Sequence, residues 1–246
     1  MTVDKIWEED FKVLTFHMDP LGRAHLSSIC NFLQEGASLH AETAGFGFEE
    51  MLKRNQVWVL ARMKVIIDRY PAWKEQLKLK TWSRGKDGIF YIRDFIIEDE
   101  QKKIIVKATS SWAAINMKTR RPELVEGLEK GLFSLKDQQA IGHKLDKITE
   151  LNDTHLLRKR KIEYTDIDLV YHVNNVKYIE LIINSFSKKE HLNRKINAIE
   201  INYLGEAKYG EEVLIFSEAE HDRSQRINII RESDNKEICR AKLDWQ

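Results

Sequence analysis

The feature that most constrains the fold of this chain is a faint internal repeat. The first half runs from an extended segment through Asp19 and a turn into a helical pattern, and the second half does the same after Asp168. Pairing the two aspartates sets Arg23 opposite His172. The apolar positions of both patterns recur at the spacing of one buried helix face: Leu26, Ile29, Leu33 and Ala37, then Val176, Ile179, Ile183 and Phe186. An ordered repeat of this kind predicts two copies of one structural unit.

Strand-like segments follow each helical pattern in the same order. They are rich in β-branched and aromatic residues, and each half contains a hairpin with a charged tip, at residues 99–100 or 234–235. The correspondence ends with Trp112 opposite Trp245. Because the second copy is the shorter one, we expect a shorter connection between its helix and its strands.

One long helix with a single apolar face and several alternating strands predicts an antiparallel sheet wrapped around that helix. This α+β arrangement is the hotdog architecture, and two tandem copies predict a double hotdog. We expect an N-terminal domain over residues 1–126, a polar linker over 127–155 and a C-terminal domain over 156–246. Two unrelated α+β domains are the alternative, which the matching order of three successive elements disfavours.

Composition argues against several classes of function. With 40 basic and 39 acidic side chains the net charge is +1, which selects neither nucleic acid nor an anionic membrane. Cys30 and Cys239 lie far apart, without the spacing of a zinc or iron–sulfur site. The apolar runs are too short to span a bilayer, and the charged N-terminus does not resemble a signal peptide. We therefore expect a cytoplasmic protein with no metal or other cofactor, which binds neither membrane nor nucleic acid.

Polar side chains crowd the entrance of the second predicted helix. Asp168 and His172 flank the turn, and Asn174 and Asn175 can cap the first free backbone N–H groups. These N–H groups and the helix dipole form a site for a carbonyl oxygen that becomes negative during acyl transfer. The same residues also fit an ordinary N-cap beside a core histidine, and this segment alone does not separate the two interpretations.

The same segment carries a resemblance to a known family. The stretch DIDLVYHVNNVKYIE, over residues 166–180, and YLGEA, over 203–207, resemble two motifs of the acyl-ACP thioesterases, which release fatty acids from acyl carrier protein (ACP). Blocks of the first half, such as RYPAWKEQLKLKTW, are similar to the same family in the same order. The resemblance implies a tandem hotdog fold and a hydrolase of fatty-acid biosynthesis that acts on fatty acyl-ACP without a cofactor.

By position, the resemblance assigns Asp168, His172 and Glu206 to the acidic, imidazole and carboxylate members of the family's catalytic set. Two positions depart from the family: Val170 replaces an asparagine, and Ala207 replaces a cysteine of the plant enzymes. Since that cysteine is absent, either water or Glu206 itself must attack the thioester. We expect Glu206 to activate water beside His172, Asp168 to orient His172, and the helix start to bind the carbonyl oxygen.

The first half lacks these groups. Arg23 stands in place of the histidine and Tyr70 in place of the glutamate, so we expect one active site per chain. The resemblance implies that this half forms the wall of the acyl tunnel, with Trp58, Trp73 and Trp82 as candidate lining residues. Tryptophans of this kind also serve as plain core.

ACP is acidic, so an enzyme that acts on it needs a local basic surface. Two basic clusters qualify, one at residues 158–161 and the other at 118–121. An acyl-CoA thioesterase and a catalytically weak acyl-binding protein, the latter suggested by Val170, are the alternative functions. The acyl chain length and the formation of a homodimer stay open.

Overall fold

The computed structural model describes residues 5–128 and 134–246. The chain divides into two compact units, Met1–Leu145 and Asp146–Gln246, and each consists of an antiparallel sheet and one principal helix. Among the described residues, no helix combines the length and the apolar character that crossing a membrane requires.

The first unit begins with a short strand that is followed by its principal helix. Strand β1 (Trp7–Lys12) precedes helix α1 (Leu26–Thr43) and the short helix α2 (Phe48–Lys53). The strands that follow are β2 (Gln56–Ile67), β3 (Gln76–Asp87), β4 (Phe90–Glu98), β5 (Ile104–Asn116) and the short β6 (Pro122–Glu123) beside β5. The order in the sheet is β1-β3-β4-β5-β2, with antiparallel pairing throughout.

The second unit repeats this plan. Strand β7 (His155–Lys161) precedes helix α3 (Asn175–Ile183) and the short helix α4 (Lys188–Asn193). The strands that follow are β8 (Ile196–Tyr203), β9 (Glu212–His221), β10 (Ser224–Arg231) and β11 (Lys236–Trp245). Their order, β7-β9-β10-β11-β8, matches that of the first unit element for element. Each unit therefore has the α+β hotdog plan that the sequence predicts.

The apolar face of each principal helix packs on its own sheet. In α1, Ile29 is fully buried, and a Cβ atom placed at Gly36 would lie 2.2 Å from Cδ2 of Leu79, so this glycine lets the helix approach β3 closely. In α3, Ile182 is fully buried. Ile183, which the sequence placed on the buried face, is half-buried because the helix ends there.

The second copy is shorter within its elements. Helix α3 has 9 residues against 18 in α1, and β8 has 8 residues against 12 in β2. The short helices α2 and α4 have 6 residues each, and the connections on both sides of them have the same lengths in the two units. The expectation of a shorter connection is therefore wrong, because the helix and the strand themselves are shortened.

The described part of the predicted linker, residues 127–155, packs against one unit or the other. In the first unit, Nε1 of Trp82 donates to the carbonyl oxygen of Gln138 at 2.8 Å. In the second unit, the N–H of Ile148 donates to Oδ1 of Asn202 at 2.8 Å. The part of the linker before residue 146 is thus hydrogen-bonded to the first sheet, and the part after residue 145 is hydrogen-bonded to the second sheet.

Candidate active site

A tight turn leads into α3 and carries two of the predicted residues. The N–H of Asp168 donates to the carbonyl of His172 (2.9 Å), and the carboxylate of Asp168 accepts the N–H of Val170 (3.0 Å). Tyr171 completes the turn with a φ of +62°, in the left-handed region, and its side chain is exposed. Asp168 therefore shapes the turn that carries His172, and the hydrogen bond between these two residues is one between their backbones.

The imidazole of His172 and the carboxylate of Glu206 lie side by side. The N–H of Val173 donates to the carbonyl of Ala207 (3.1 Å), which holds the start of α3 against the loop between β8 and β9. Nε2 of His172 lies 3.0 Å from Oε2 of Glu206. The two side chains are 24% and 36% exposed, so both reach solvent. This arrangement suits a carboxylate base with an imidazole partner.

The start of α3 places Asn174 and Asn175 directly after this pair. Asn174 is the N-cap residue, and its Oδ1 accepts the N–H of Val176 at 2.9 Å. Asn175 is the first helical residue, and its carbonyl accepts the hydroxyl of Tyr203 at 3.1 Å. The N–H of Asn174 donates to the carbonyl of Asp166 (2.9 Å) and that of Val176 to the Asn174 side chain, so the N–H of Asn175 and the dipole of the helix are the backbone features that can stabilise developing negative charge.

Two residues that the sequence analysis missed hold the loop of Glu206. The hydroxyl of the buried Tyr178 accepts the N–H of Ala207 (3.0 Å) and donates to the carbonyl of Gly205 (3.5 Å). Nη1 of Arg231 donates to the carbonyl of Glu206 itself (2.6 Å). Burial raises the pKa of the Tyr178 phenol, so it stays a neutral hydroxyl. The peptide groups around Glu206 are therefore fixed by side chains of α3 and β10.

One of these two residues carried a usable sequence signal. Tyr178 lies four residues after the N-cap Asn174, and residues at this spacing share one face of a helix. Its hydroxyl could therefore have been placed near the helix entrance. Arg231 carried no such signal, because the pairing of β10 with β9 and β11 brings it to the loop.

The first unit builds the same turn with different side chains. The N–H of Asp19 donates to the carbonyl of Arg23 (2.7 Å), and the N–H of Ala24 donates to the carbonyl of Pro71 (2.9 Å), as in the second unit. The guanidinium of Arg23 pairs with the Asp19 carboxylate at 2.8 Å and lies 5.5 Å from the centre of the Tyr70 ring. The position equivalent to Glu206 therefore carries a phenol in place of a carboxylate.

The two cysteines are buried, unpaired thiols. Burial raises the pKa of Cys30 to about 12, and it also raises the pKa of Cys239. Both thiols therefore stay protonated at neutral pH and are poor nucleophiles. Within residues 5–128 and 134–246, His, Cys, Asp and Glu side chains form no group of three or more that could hold a metal ion.

The three predicted tunnel tryptophans occupy different environments. Trp82 is fully buried in the core, whereas Trp73 is 52% exposed. Trp58 is half-buried and lines a pocket of about 100 Å³ in the first unit. Trp82 therefore has the plain core role that the sequence left open, whereas Trp58 contributes to a pocket wall.

The two basic clusters differ in their setting. In the cluster at 158–161, Lys159 pairs with Glu212 (2.9 Å) and Glu232 (2.7 Å). The cluster at 118–121 forms the exposed turn between β5 and β6. The second cluster is therefore the better candidate for a basic docking surface.

Comparison with known proteins identifies the family. The model of the acyl-ACP thioesterase N-terminal domain matches residues 4–127, and that of the C-terminal domain matches residues 149–246. The chain belongs to the acyl-ACP thioesterase family. A chloroplastic palmitoyl-acyl carrier protein thioesterase of Gossypium hirsutum is 28% identical over 98% of this chain, and a chloroplastic oleoyl-acyl carrier protein thioesterase of Coriandrum sativum is 29% identical over 91%. The chain spans 64% and 65% of the lengths of these two family members.

Solved structures of acyl-ACP thioesterases share the fold. An acyl-ACP thioesterase from Bacteroides thetaiotaomicron matches with a TM-score of 0.91 at 27% identity, with 98% of each chain covered. A 12:0-ACP thioesterase from Umbellularia californica matches with a TM-score of 0.86 at 23% identity, covering 99% of this chain and 98% of that one. The second similarity bears on the fold alone. The predicted double hotdog is thus confirmed.

Proposed function

We propose that this chain hydrolyses fatty acyl-ACP to a free fatty acid and ACP. The observation that carries the proposal is the 3.0 Å approach of His172 to Glu206 at the start of α3, in a chain of the acyl-ACP thioesterase family. The names of the relatives, palmitoyl- and oleoyl-ACP thioesterases, support the class of substrate.

In the proposed reaction, water is the nucleophile. The carboxylate of Glu206 takes a proton from the water while the oxygen of that water forms a bond to the thioester carbon. The C–S bond then breaks, and the departing thiolate of the carrier receives the proton that Glu206 took from the water, which restores the carboxylate. His172 holds the carboxylate through the 3.0 Å contact at Nε2 and keeps it aligned on the water. Because a thiolate is a good leaving group, activation of the water is the main demand on these residues.

The start of α3 supplies the second part of the mechanism. At the helix start formed by Asn174 and Asn175, the backbone N–H of Asn175 and the helix dipole stabilise the carbonyl oxygen as it becomes negative. Asp168 acts on His172 through the turn, since its carboxylate fixes the N–H of Val170 and its backbone bonds to His172. The side chain at position 170 is not part of that hydrogen bond, so the turn tolerates valine where the family has asparagine.

The first unit is proposed to hold the acyl chain. The wall of its pocket includes the rings of Trp58 and Trp112, and apolar surface of this kind suits an aliphatic ligand. The equivalent turn of this unit has Arg23 and Tyr70 in the positions of the histidine and the glutamate. One active site per chain follows from this difference.

The test is the hydrolysis of a panel of acyl-ACPs by the wild type and by Glu206→Gln. Glutamine keeps the size of the side chain but cannot take the proton of the water, so we expect kcat to fall by about 10²–10⁴. Glu212→Gln, which removes a surface partner of Lys159, is the matched control and should keep wild-type activity. A wild type that hydrolyses no acyl-ACP, or a Glu206→Gln variant with unchanged kcat, would refute the proposal.

The carrier is distinguished by presenting one acyl chain on ACP and on CoA. We propose that ACP binds the basic turn at 118–121, so reversing its charges by Lys118→Glu, Arg120→Glu and Arg121→Glu should raise KM for acyl-ACP. The KM of wild type for acyl-ACP should also rise with salt, because screening weakens attraction between exposed charges. An enzyme that prefers acyl-CoA, or a KM for acyl-ACP that is indifferent to both changes, would exclude this docking surface.

We also propose the cytoplasm as the compartment. Cys30 and Cys239 are free thiols, which persist in a reducing environment. Fractionation of cells that express the tagged full-length protein tests this proposal, and recovery from an oxidising compartment would contradict it.

A further inference from the structure

The pocket of the first unit lies between the C-terminal half of α1 and the sheet. Its wall is largely apolar and includes the rings of Trp58, Tyr91 and Trp112. Polar side chains interrupt this wall at three positions, Ser38, Ser83 and Arg93. Aromatic surface suits a hydrocarbon chain, whereas a guanidinium group requires hydrogen-bond acceptors.

Arg93 is buried, and no carboxylate among the described residues pairs with its guanidinium. It is 7% exposed, and its Nη1 lies 3.0 Å from Nδ1 of His40 and 3.2 Å from Oγ1 of Thr81. Burial lowers the pKa of Arg93 to about 10, which still leaves it protonated at neutral pH. The adjacent Asp94 points to the other face of β4, where its Oδ1 accepts the hydroxyl of Thr109 at 2.7 Å.

Two other arginines whose side chains are mostly covered pair with carboxylates. Arg240, which is 2% exposed, pairs with Glu237, and Arg226 pairs with Glu218 at 2.8 Å. Arg93 differs, because its side-chain hydrogen bonds within the described residues go to a histidine and a threonine. A buried cation that lacks an anionic partner is costly unless other acceptors reach it. The pocket beside Arg93 is the place from which such an acceptor can come.

We propose that this pocket selects acyl chains that carry an oxygen acceptor, as a hydroxyl, oxo or carboxylate group, where the chain meets Arg93. The inference rests on the proposed function, because it takes this pocket to be the acyl site. A saturated hydrocarbon would displace water from the guanidinium and leave the N–H groups that do not bond to His40 or Thr81 unsatisfied. An oxygenated chain would instead accept a charge-assisted hydrogen bond from the same groups.

The test uses N-acetylcysteamine thioesters of one saturated fatty acid and of the same acid oxygenated at each successive carbon. Binding is measured on the Glu206→Gln variant by the change in tryptophan fluorescence, since Trp58 and Trp112 line the pocket. We expect the best oxygenated chain to bind about 10- to 100-fold more tightly than the saturated one, as for a hydrogen bond to a charged group.

Three arginine variants, made in the Glu206→Gln background, locate the origin of the preference. Arg93→Met removes the cation but keeps the length of the side chain, so the preference should disappear and the saturated chain should bind more tightly. Arg93→Lys keeps the charge with fewer donors and should keep only part of the preference, which gives a second reading if the methionine variant does not fold. Arg62→Met, which alters a half-buried arginine outside the pocket lining, should keep the full preference.

Equal affinity for the saturated chain and for every oxygenated chain would overturn the inference, as would the absence of any binding. If Arg93→Met still binds oxygenated chains more tightly than the saturated chain, other residues cause the preference. That result would also overturn the inference. Because binding is measured on a variant expected to have little turnover, the result does not depend on hydrolysis. A wild type that fails to hydrolyse acyl-ACP would refute the proposed function while the binding preference could still be measured.

Discussion

The two turns that lead into the principal helices share one backbone and differ in their chemistry. Matching hydrogen bonds of 2.7 and 2.9 Å close the two turns. On this common frame, the first unit stacks Arg23 over Tyr70, whereas the second unit sets His172 against Glu206. The backbone of the turn therefore has the same hydrogen bonds in both units, although the side chains that it carries differ.

The first turns of the two principal helices also differ in one side chain. Four residues after the N-cap, the first unit has the fully buried Ile29, and the second has Tyr178, whose hydroxyl holds the loop of Glu206. Gly22 and Tyr171 occupy the same left-handed position, with φ of +73° and +62°. Turn geometry and packing thus maintain the fold in both units, while a few side-chain replacements decide whether the entrance can become a reaction site.

The largest effect that separates the two turns is expected from their central residues. His172→Ala removes the partner of the Glu206 carboxylate and should lower kcat for acyl-ACP by about 10²–10⁴. Arg23→Ala makes the equivalent change in the first unit and should leave kcat unchanged. Steady-state kinetics of both variants with one acyl-ACP provide the measurement. Equal losses in the two variants would contradict the assignment of one active site per chain.

A smaller effect is expected one helical turn further on. Tyr178→Phe removes the hydroxyl that joins the N–H of Ala207 to the carbonyl of Gly205, so Glu206 should lose its alignment and kcat should fall by about 10- to 100-fold. KM should change little, because the tyrosine acts on the position of the carboxylate. Tyr164→Phe, at a side chain that is 83% exposed, is the control. If Tyr178→Phe lowers the stability of the protein but leaves kcat unchanged, the role of Tyr178 is purely structural.

Substitutions at the left-handed position of each turn, Gly22 or Tyr171, test how much backbone strain there affects the free energy of unfolding. A Cβ atom added at Gly22 would contact nothing within 4 Å, so Gly22→Ala isolates the backbone cost and should destabilise the protein by about 1 kcal/mol. Tyr171→Gly should stabilise by at most about 1 kcal/mol, because relief of strain is offset by the greater freedom of glycine in the unfolded chain. Urea unfolding measures both changes. Marked destabilisation by Tyr171→Gly would show that the tyrosine makes contacts that outweigh its strain.

The smallest effect concerns the segment before β3. Hydrogen bonds from Arg69 lower the pKa of Glu75, whereas the second unit has Gly205 in the position of Arg69. A lowered carboxyl pKa contributes stability above the ordinary value of 4.5, and that contribution is lost as the pH falls through the lowered value. Glu75→Gln should therefore be less stable than the wild type near neutral pH, and the difference should close in acid. Unfolding midpoints across this pH range provide the check, and a constant difference would exclude the ionised pair as its cause.

The sequence predicted most of the fold because its signals are local. Helical spacing of apolar residues, alternating strands and a repeated order of elements are all visible within short windows, and together they indicated the two hotdog units. The environments of the tryptophans were less predictable. Trp73 is exposed and Trp82 is in the core, although both lie in similar aromatic segments, because burial depends on what packs over each residue.

The candidate site divides in the same way. The motif around His172 and the separate segment around Glu206 could be chosen from the sequence, and their catalytic roles stay predictions. The tertiary structure alone decided that Nε2 and Oε2 lie 3.0 Å apart, that Arg231 fixes the loop, and that Arg93 is buried beside an aromatic pocket. These facts depend on strand pairing and on the docking of α3 against a distant loop, which join residues far apart in the chain. Residue types and their spacing can be taken from short stretches of sequence. The distances between side chains, their burial and their hydrogen-bond partners depend on the packing of the whole unit.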